Sequence, residues 1–138
     1  MKLIDTNVLV YAAGRAHPWK VPCADLCRAA SARHGAFTVD AEVLQELLHL
    51  YAGRGESQRG AELVSLVLDL FPAVIPIGPT EVRRAAALLV QYPRLSARDA
   101  IHAAVVALHG LEGIVSVDTD FDAVREVRRY DPLRAAAE

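Results

Sequence analysis

Acidic residues at widely separated positions are the residues of this chain best suited to chemistry. Each follows a predicted strand or lies on a predicted helix, and they comprise three single residues and one short run: Asp5, Glu46, Asp99, and Asp118 with Asp120 and Asp122. Gathering like charges in one dry cleft costs several kcal/mol unless they are protonated or share a counter-charge. A hard divalent cation with oxygen ligands is the usual counter-charge, so the pattern indicates a metal-dependent site.

The elements that would position these acids alternate between strands and helices. Apolar runs predict strands at 2–4, 37–39, 74–77 and 114–117, with a last edge strand at 127–129. Helical spacing and capping residues predict helices at 8–13, 21–33, 41–52, 57–70, 80–91 and 97–108, with Asp40 as the cap of the helix at 41–52. The alanine-rich tail after Pro132 is expected to fray. This alternation predicts a mainly parallel sheet covered by helices on both faces. Ligands of such sheets bind at the carboxyl ends of the strands, where Asp5 and Asp118 fall.

Composition places the chain among globular proteins. Of 138 residues, 53% are hydrophobic and 23% are charged, which fits a single domain. Cys23 and Cys27 match neither a zinc pair nor a disulfide framework, so we expect reduced core residues. Asp5 falls where a signal peptide would need apolar residues, and no apolar run has the length of a membrane span. We therefore expect a cytoplasmic protein with no membrane partner.

The net charge of −2 provides no overall field that would attract a polyanion. Contact with nucleic acid would therefore depend on local basic patches. Two candidate strips are Arg15, His17, Lys20, Arg28 and Arg33, and Arg125, Arg128 and Arg129.

Each acid also has a purely structural interpretation. Asp5 could cap the following helix, although Thr6 and Asn7 could do so as well. Asp99 could form a capping box with Ser96 while still pointing a lone pair into the crevice. On a helical wheel Glu46 borders the apolar stripe, whereas Glu42, one turn earlier, is turned outward and would face water.

The acidic run at 118–122 resembles the start of a calcium-binding loop but does not continue as one. Ala123 stands where that loop needs glycine, and Arg129 stands where it needs a bidentate glutamate. We expect Phe121 to pack under the loop and Ser116 to hydrogen-bond a ligand carboxylate.

His102 lies one turn after Asp99 on an apolar helix face, where a histidine is usually a satisfied core residue. The chain contains no serine or cysteine nucleophile signature, no glycine-rich phosphate loop and no histidine-rich zinc pattern. Acid-based metal chemistry is the class that remains.

Four segments carry a family resemblance that covers nearly the whole chain. They are LIDTNVL at 3–9, QEL at 45–47, SARDAIHAA at 96–104 and VSVDTDFD at 115–122. In this order and spacing they resemble the PIN-domain ribonucleases, and most closely the VapC-type toxins of bacterial toxin–antitoxin pairs.

The resemblance implies a single PIN domain over residues 1–138, built as a three-layer α/β/α sandwich around a mainly parallel sheet. It implies an endoribonuclease that uses Mg²⁺ or Mn²⁺, cleaves RNA with a metal-activated water, forms a homodimer and is silenced by a cognate antitoxin. Trp19, Tyr51 and Leu66 are candidate interface anchors, although packing within one chain would also explain them. The implied catalytic residues are Asp5, Glu46, Asp99, Asp118 and Asp120, of which Asp5, Asp99, Asp118 and Asp120 would bind the metal.

Two other classes of function remain open at this stage. One is a non-catalytic PIN-like module that binds RNA or serves as a scaffold, against which the intact acidic set argues. The other is a phosphatase or receiver-like domain with an aspartyl nucleophile. That chemistry needs a lysine near the acids, and Lys2 and Lys20 are poorly placed for it.

Overall fold

A computed structural model describes residues 1–135 and contains a parallel sheet between two layers of helices. The strands are β1 (Lys2–Ile4), β2 (Phe37–Thr38), β3 (Gly113–Val115) and β4 (Arg129–Tyr130). The helices are α1 (Thr6–Ala13), α2 (Lys20–Ala32), α3 (Ala41–Gly53), α4 (Ser57–Leu70), α5 (Pro79–Gln91), α6 (Ala97–Leu108) and α7 (Pro132–Ala135), with a 3₁₀ helix at Thr119–Ala123. No helix within the described residues is long and apolar enough to cross a membrane.

The sheet has four strands in the order β2-β1-β3-β4, and every neighbouring pair is parallel. Leu3 of β1 pairs with Thr38 of β2 on one side and with Ile114 of β3 on the other. The central position of β1 and β3 explains why the residues that follow them, Asp5 and Asp118, reach the same edge of the sheet. The predicted parallel sheet is confirmed.

Both faces of the sheet are buried, as an all-parallel sheet requires. Consecutive residues of β1 point to opposite faces, so Leu3 joins the core beneath α5 and α6, whereas Ile4 joins the core beneath α1–α4 and α7. In β3, Ile114 joins the same core as Leu3, and Val115 joins the same core as Ile4. The structure therefore confirms the three-layer α/β/α sandwich.

Three local predictions differ from the structure. The strand expected at 74–77 is reduced to a single bridge between Ile75 and Asp40, because Pro76 has no N–H to continue a ladder. The last strand lies at Arg129–Tyr130, while Val127 packs in the core instead. The tail expected to fray after 132 forms α7 against α2 as far as Ala135, and 136–138 lie outside the described residues.

The three candidate interface anchors differ in how far they are buried. Tyr51 is only 1% exposed, so the expectation that it forms an exposed anchor is wrong, because it packs in the core with α4 against it. Trp19 is partly buried against the same core, and Leu66 is exposed.

Cys23 and Cys27 are free, and burial raises the pKa of their thiols to about 12 and about 11.

Candidate active site

A cavity of about 460 Å³ lies at the carboxyl ends of the two central strands. We call it the acid cavity, and four predicted site residues line it: Asp5, Glu46, Asp99 and Asp118. The structure does not bring Asp120 or Asp122 into its lining. Asp120 has an exposed side chain, and Asp122 pairs with Arg129 at 2.9 Å.

Asp5 follows β1 directly and caps α1. Its Oδ1 accepts a hydrogen bond from the Thr6 backbone N–H at 2.7 Å, and its Oδ2 accepts one from the Ser116 hydroxyl at 2.6 Å. The amide of Asn7 donates a third, at 3.2 Å. Capping is therefore real but does not use the whole carboxylate, because Oδ2 accepts two hydrogen bonds whereas Oδ1 accepts one and keeps a further lone pair. Burial raises the pKa of the Asp5 carboxyl, and the nearby His102 opposes that shift.

His102 joins three carboxylates and is fully buried. Its Nδ1 lies 2.7 Å from Asp40 Oδ2, and its Nε2 lies 2.7 Å from Glu46 Oε1 and 3.7 Å from Asp5 Oδ1. We call these four residues the His102 network. Burial by itself lowers the imidazole pKa, but the hydrogen bonds with Asp40 and Glu46 outweigh it and hold the pKa well above its usual value. His102 is therefore an imidazolium, a cation supplied by the chain itself.

Asp40 is the residue of this network that sequence reasoning interpreted too narrowly. The expected cap is present, since Asp40 Oδ1 accepts from the Val43 N–H at 3.0 Å, but Oδ2 binds His102. The signal was available, because Asp40 follows a predicted strand just as Asp5 does. His102 is a satisfied core residue, as expected, yet its partners are the acids.

Glu46 and Glu42, one turn apart on α3, are separated by the structure. Glu46 lines the acid cavity and contacts His102. Glu42 instead lies 3.9 Å from Arg98, and burial raises the pKa of its carboxyl. The position of Glu46 agrees with the helical-wheel argument, but the expectation that Glu42 faces water is wrong: its side chain is 15% exposed, against 17% for Glu46, because it packs beside Arg98.

Asp99 and Asp118 form the other side of the cavity, and we call them the open carboxylate pair. One half of the predicted capping box is present, since the Ser96 hydroxyl accepts from the Asp99 N–H at 3.1 Å. The carboxyl groups of Asp99 and Asp118 face each other closely enough for a hydrogen bond between them to help raise the pKa of Asp99. Burial, followed by the charges of Asp5 and Asp118, raises the pKa of Asp99 to about 7. Two carboxyl groups in contact can share one proton at neutral pH, and a cation can replace that proton.

The lining also contains an orphaned polar atom. Thr6 Oγ1 is buried and is the one buried side-chain oxygen or nitrogen without a hydrogen-bond partner within residues 1–135. Ligand atoms of Asp5, Glu46 and His102 lie within 4.8 Å of one another, but both ring nitrogens of His102 already face carboxylates. The remaining donors are oxygens, so the site can hold a hard, hydrated divalent cation, with Thr6 able to bond one of its waters.

Comparison with known proteins gives the family. The PIN domain family matches residues 2–127. Ribonuclease VapC13 of Mycobacterium tuberculosis is 34% identical over 129 residues, which cover 94% of this chain and 98% of that protein. Ribonuclease VapC7 of the same organism is 36% identical over 133 residues, which cover 96% and 92%.

Solved structures agree on the fold. The crystal structure of FitAcB from Neisseria gonorrhoeae superimposes with a TM-score of 0.73 at 24% identity, covering 96% of this chain and 98% of that one. A toxin-antitoxin complex from Klebsiella pneumoniae gives a TM-score of 0.66 at 24% identity with the same coverage. The chain belongs to the PIN-domain family, and within it to the VapC group.

Proposed function

We propose that this chain is a metal-dependent endoribonuclease, the toxin of a toxin–antitoxin pair, and that residues 1–138 act as one PIN domain. The observation that carries the proposal is the gathering of Asp5, Glu46, Asp99 and Asp118 in one cavity. The curated relatives, which are named ribonucleases, support the choice of RNA as substrate. A non-catalytic RNA-binding module would have no need for buried carboxylates that destabilise the metal-free protein.

The proposed ligands of the ion are Asp5, Asp99 and Asp118, with Asp120 acting through a water. When bound, Mg²⁺ or Mn²⁺ supplies a water of lowered pKa and neutralises charge on the phosphodiester. Ser116 and Asn7 fix the orientation of Asp5 through hydrogen bonds of 2.6 and 3.2 Å. We assign Glu46, which His102 holds at 2.7 Å, the role of taking a proton from the attacking water.

An aspartyl-phosphate mechanism has no support in the arrangement of the lysines. The Lys2 ammonium lies 4.4 Å from the centre of the Tyr130 ring, and the Lys20 ammonium donates to the carbonyls of Ala12 and Gly14. Neither lysine lines the acid cavity. We therefore propose direct hydrolysis by water, with no covalent intermediate.

The partners are proposed from the family. One structural neighbour is described as a toxin-antitoxin complex, a second as FitAcB, and a third as VapBC2 from Rickettsia felis. These neighbours support a cognate antitoxin as partner of this chain. A homodimer and a cytoplasmic location complete the proposal.

The decisive experiment is cleavage of RNA by purified protein while Mn²⁺ or Mg²⁺ is titrated. We expect cleavage that stops in EDTA and falls about 100-fold or more in Asp118→Asn. Asp122→Asn is the matched control, since Asp122 lies on the same loop but pairs with Arg129. Binding of Mn²⁺ by calorimetry should fail in the first variant and persist in the second. Cleavage that survives both EDTA and the Asp118 substitution would contradict the proposal.

A further inference from the structure

A second cleft adjoins the acid cavity. It has a volume of about 560 Å³ and shares three lining residues, Val10, Tyr11 and Arg54, with the acid cavity. The two spaces therefore form one continuous surface depression with acidic and basic ends. We call the basic end the arginine cleft. Its charged lining residues are Arg15, Arg54, Glu56 and Arg59, and its aromatic ones are Tyr11, His17 and Tyr51.

The arginine cleft carries more positive charge than its surroundings neutralise. Arg59 lies 3.7 Å from Glu56, whereas no carboxylate among residues 1–135 forms an ion pair with Arg15 or Arg54. The guanidinium groups of Arg54 and Arg59 lie 5.5 and 5.6 Å from the centre of the same Tyr51 ring. Both arginines therefore border the same part of the cleft, where their positive charge favours an anion.

The wall of the arginine cleft also carries an aromatic pair. The rings of Tyr11 and His17 lie 4.7 Å apart at 34°. The backbone N–H of Trp19 donates to His17 Nδ1 at 3.1 Å, which fixes the imidazole ring. Aromatic faces beside arginines are the surfaces on which unpaired bases stack in complexes with single-stranded nucleic acid.

The basic strip expected from the sequence is not the surface that the fold produces. Lys20 is used by backbone carbonyls of the α1–α2 connection, and Arg28 pairs with Asp25. Arg15 and His17 from that strip instead meet Arg54 and Arg59 from the other side of the cleft. A patch built from two distant segments cannot be read from charge spacing along one of them.

We propose that the arginine cleft binds the nucleotide next to the scissile phosphate of a single-stranded RNA. This inference rests on the proposed nuclease function of the adjoining acid cavity. When one phosphate of an RNA enters the acid cavity, a positive charge must offset the negative charge of the neighbouring phosphate. Arg54 lines both spaces and can supply that charge. The Tyr11 and His17 rings give the adjacent base a stacking surface. An acidic polypeptide would use the arginines but would have no use for that surface.

The test compares RNA binding by two variants of equal charge change. Arg15→Gln/Arg54→Gln alters the cleft, whereas Arg83→Gln/Arg84→Gln alters two exposed arginines on α5. A fluorescein-labelled single-stranded RNA is titrated in EDTA, so that no cleavage occurs, and anisotropy gives the Kd at several salt concentrations. For the cleft variant we expect a Kd at least about 10-fold higher and a salt slope smaller by about 1.4, which corresponds to about 0.7 for each lost phosphate contact. The α5 variant should stay within about twofold of the unaltered protein.

The outcomes that overturn the inference are distinct from those that overturn the nuclease proposal. An unchanged Kd in the cleft variant, or an equal loss in the α5 variant, would overturn it even if the protein cleaves RNA. Equal affinity for poly-glutamate through the same arginines would overturn it in favour of an acidic polypeptide. Absence of cleavage with Mn²⁺ would instead count against the nuclease alone. If the double variant unfolds, Arg15→Gln alone serves, with an expected loss of about threefold.

Discussion

The two sides of the acid cavity solve the problem of gathered negative charge in different ways. In the His102 network each carboxylate accepts from a defined donor, and the imidazolium lies between Asp40 and Glu46 at 2.7 Å from both. In the open carboxylate pair, Asp99 and Asp118 contact each other, and the pKa of Asp99 is raised to about 7. The first side contains its own cation, which holds Asp5 and Glu46 in position. The second side requires a proton or a metal ion, which is why we propose that the ion binds Asp99 and Asp118 together with Asp5.

The largest effect should come from removing the internal cation. His102→Gln leaves the buried Asp40 carboxylate without its charge partner, and breaking a buried ion pair in this way costs about 3–5 kcal/mol of unfolding free energy. Urea denaturation in EDTA measures the loss. His109→Gln is the control, because His109 is exposed and pairs with Glu81 at 3.1 Å, where we expect less than about 1 kcal/mol. Equal losses in the two variants would remove the distinction between the two sides.

Ser116 is the point at which the two sides meet, and its loss should have the next largest effect. Its hydroxyl donates to Asp5 Oδ2 at 2.6 Å and accepts from the Asp118 N–H at 3.0 Å. A hydrogen bond to a charged group contributes about 1.5–3 kcal/mol, so Ser116→Ala should lose that much stability and also bind Mn²⁺ more weakly. Ser65→Ala, on the exposed surface of α4, should change neither quantity. An unchanged Mn²⁺ affinity would show that Ser116 stabilises the fold but does not help to bind the ion.

The affinity for Mn²⁺ should depend on pH through the open carboxylate pair. Asp99 must lose its proton to bind a cation, and its pKa is raised to about 7. Below that value affinity should fall about 10-fold per pH unit, and above it the affinity should level off. Calorimetric titrations between about pH 5.5 and about pH 8 would measure the curve. Asp99→Asn should bind weakly without this pH dependence, and the same curve in that variant would assign the proton to another group.

The smallest effect is a gain in stability. The folded pKa of Asp99, about 7, exceeds its ordinary value of 3.8, so between these values the folded state binds more protons than the unfolded state. Stability of the metal-free protein therefore falls as pH rises from about 4 to about 7. Asp99→Asn should remove this cost and stabilise the protein by about 1 kcal/mol at about pH 8, allowing for solvent screening, with little gain at about pH 5. Urea denaturation in EDTA at both pH values tests this, and a loss of stability at pH 8 would contradict it.

The sequence predicted the order of strands and helices because these depend on local patterns. Apolar alternation, caps such as Asp40 and the helical period all act over a few residues. The strand at 74–77 was overestimated because Pro76 interrupts the ladder, and only the packed fold shows how little pairing survives. Burial of Tyr51 follows from the helical period of α3, which places it on one face with Val43 and Leu47, and its choice as an exposed anchor disregarded that period.

The sequence predicted the acidic residues of the candidate site but not the cation, His102, that offsets their charge. Asp5, Glu46, Asp99 and Asp118 were each recognisable from a strand end or a helix face. The pairing of Asp40 with His102 joins residues 62 apart in sequence, and nothing near either one predicts the other. Asp120 entered the predicted set through the family resemblance, and the 3₁₀ helix turns its side chain to solvent, which is why we propose that it acts through a water.

The contact between Asp40 and His102 has a consequence for how the protein is made. Asp5, Asp40 and Glu46 leave the ribosome early, but Asp99, His102 and Asp118 belong to the final third of the chain. The central strand β1 likewise lacks its partner β3 until residue 115 has been synthesised. A growing polypeptide therefore cannot assemble the acid cavity before its synthesis is almost complete, so the site first forms on a nearly finished chain.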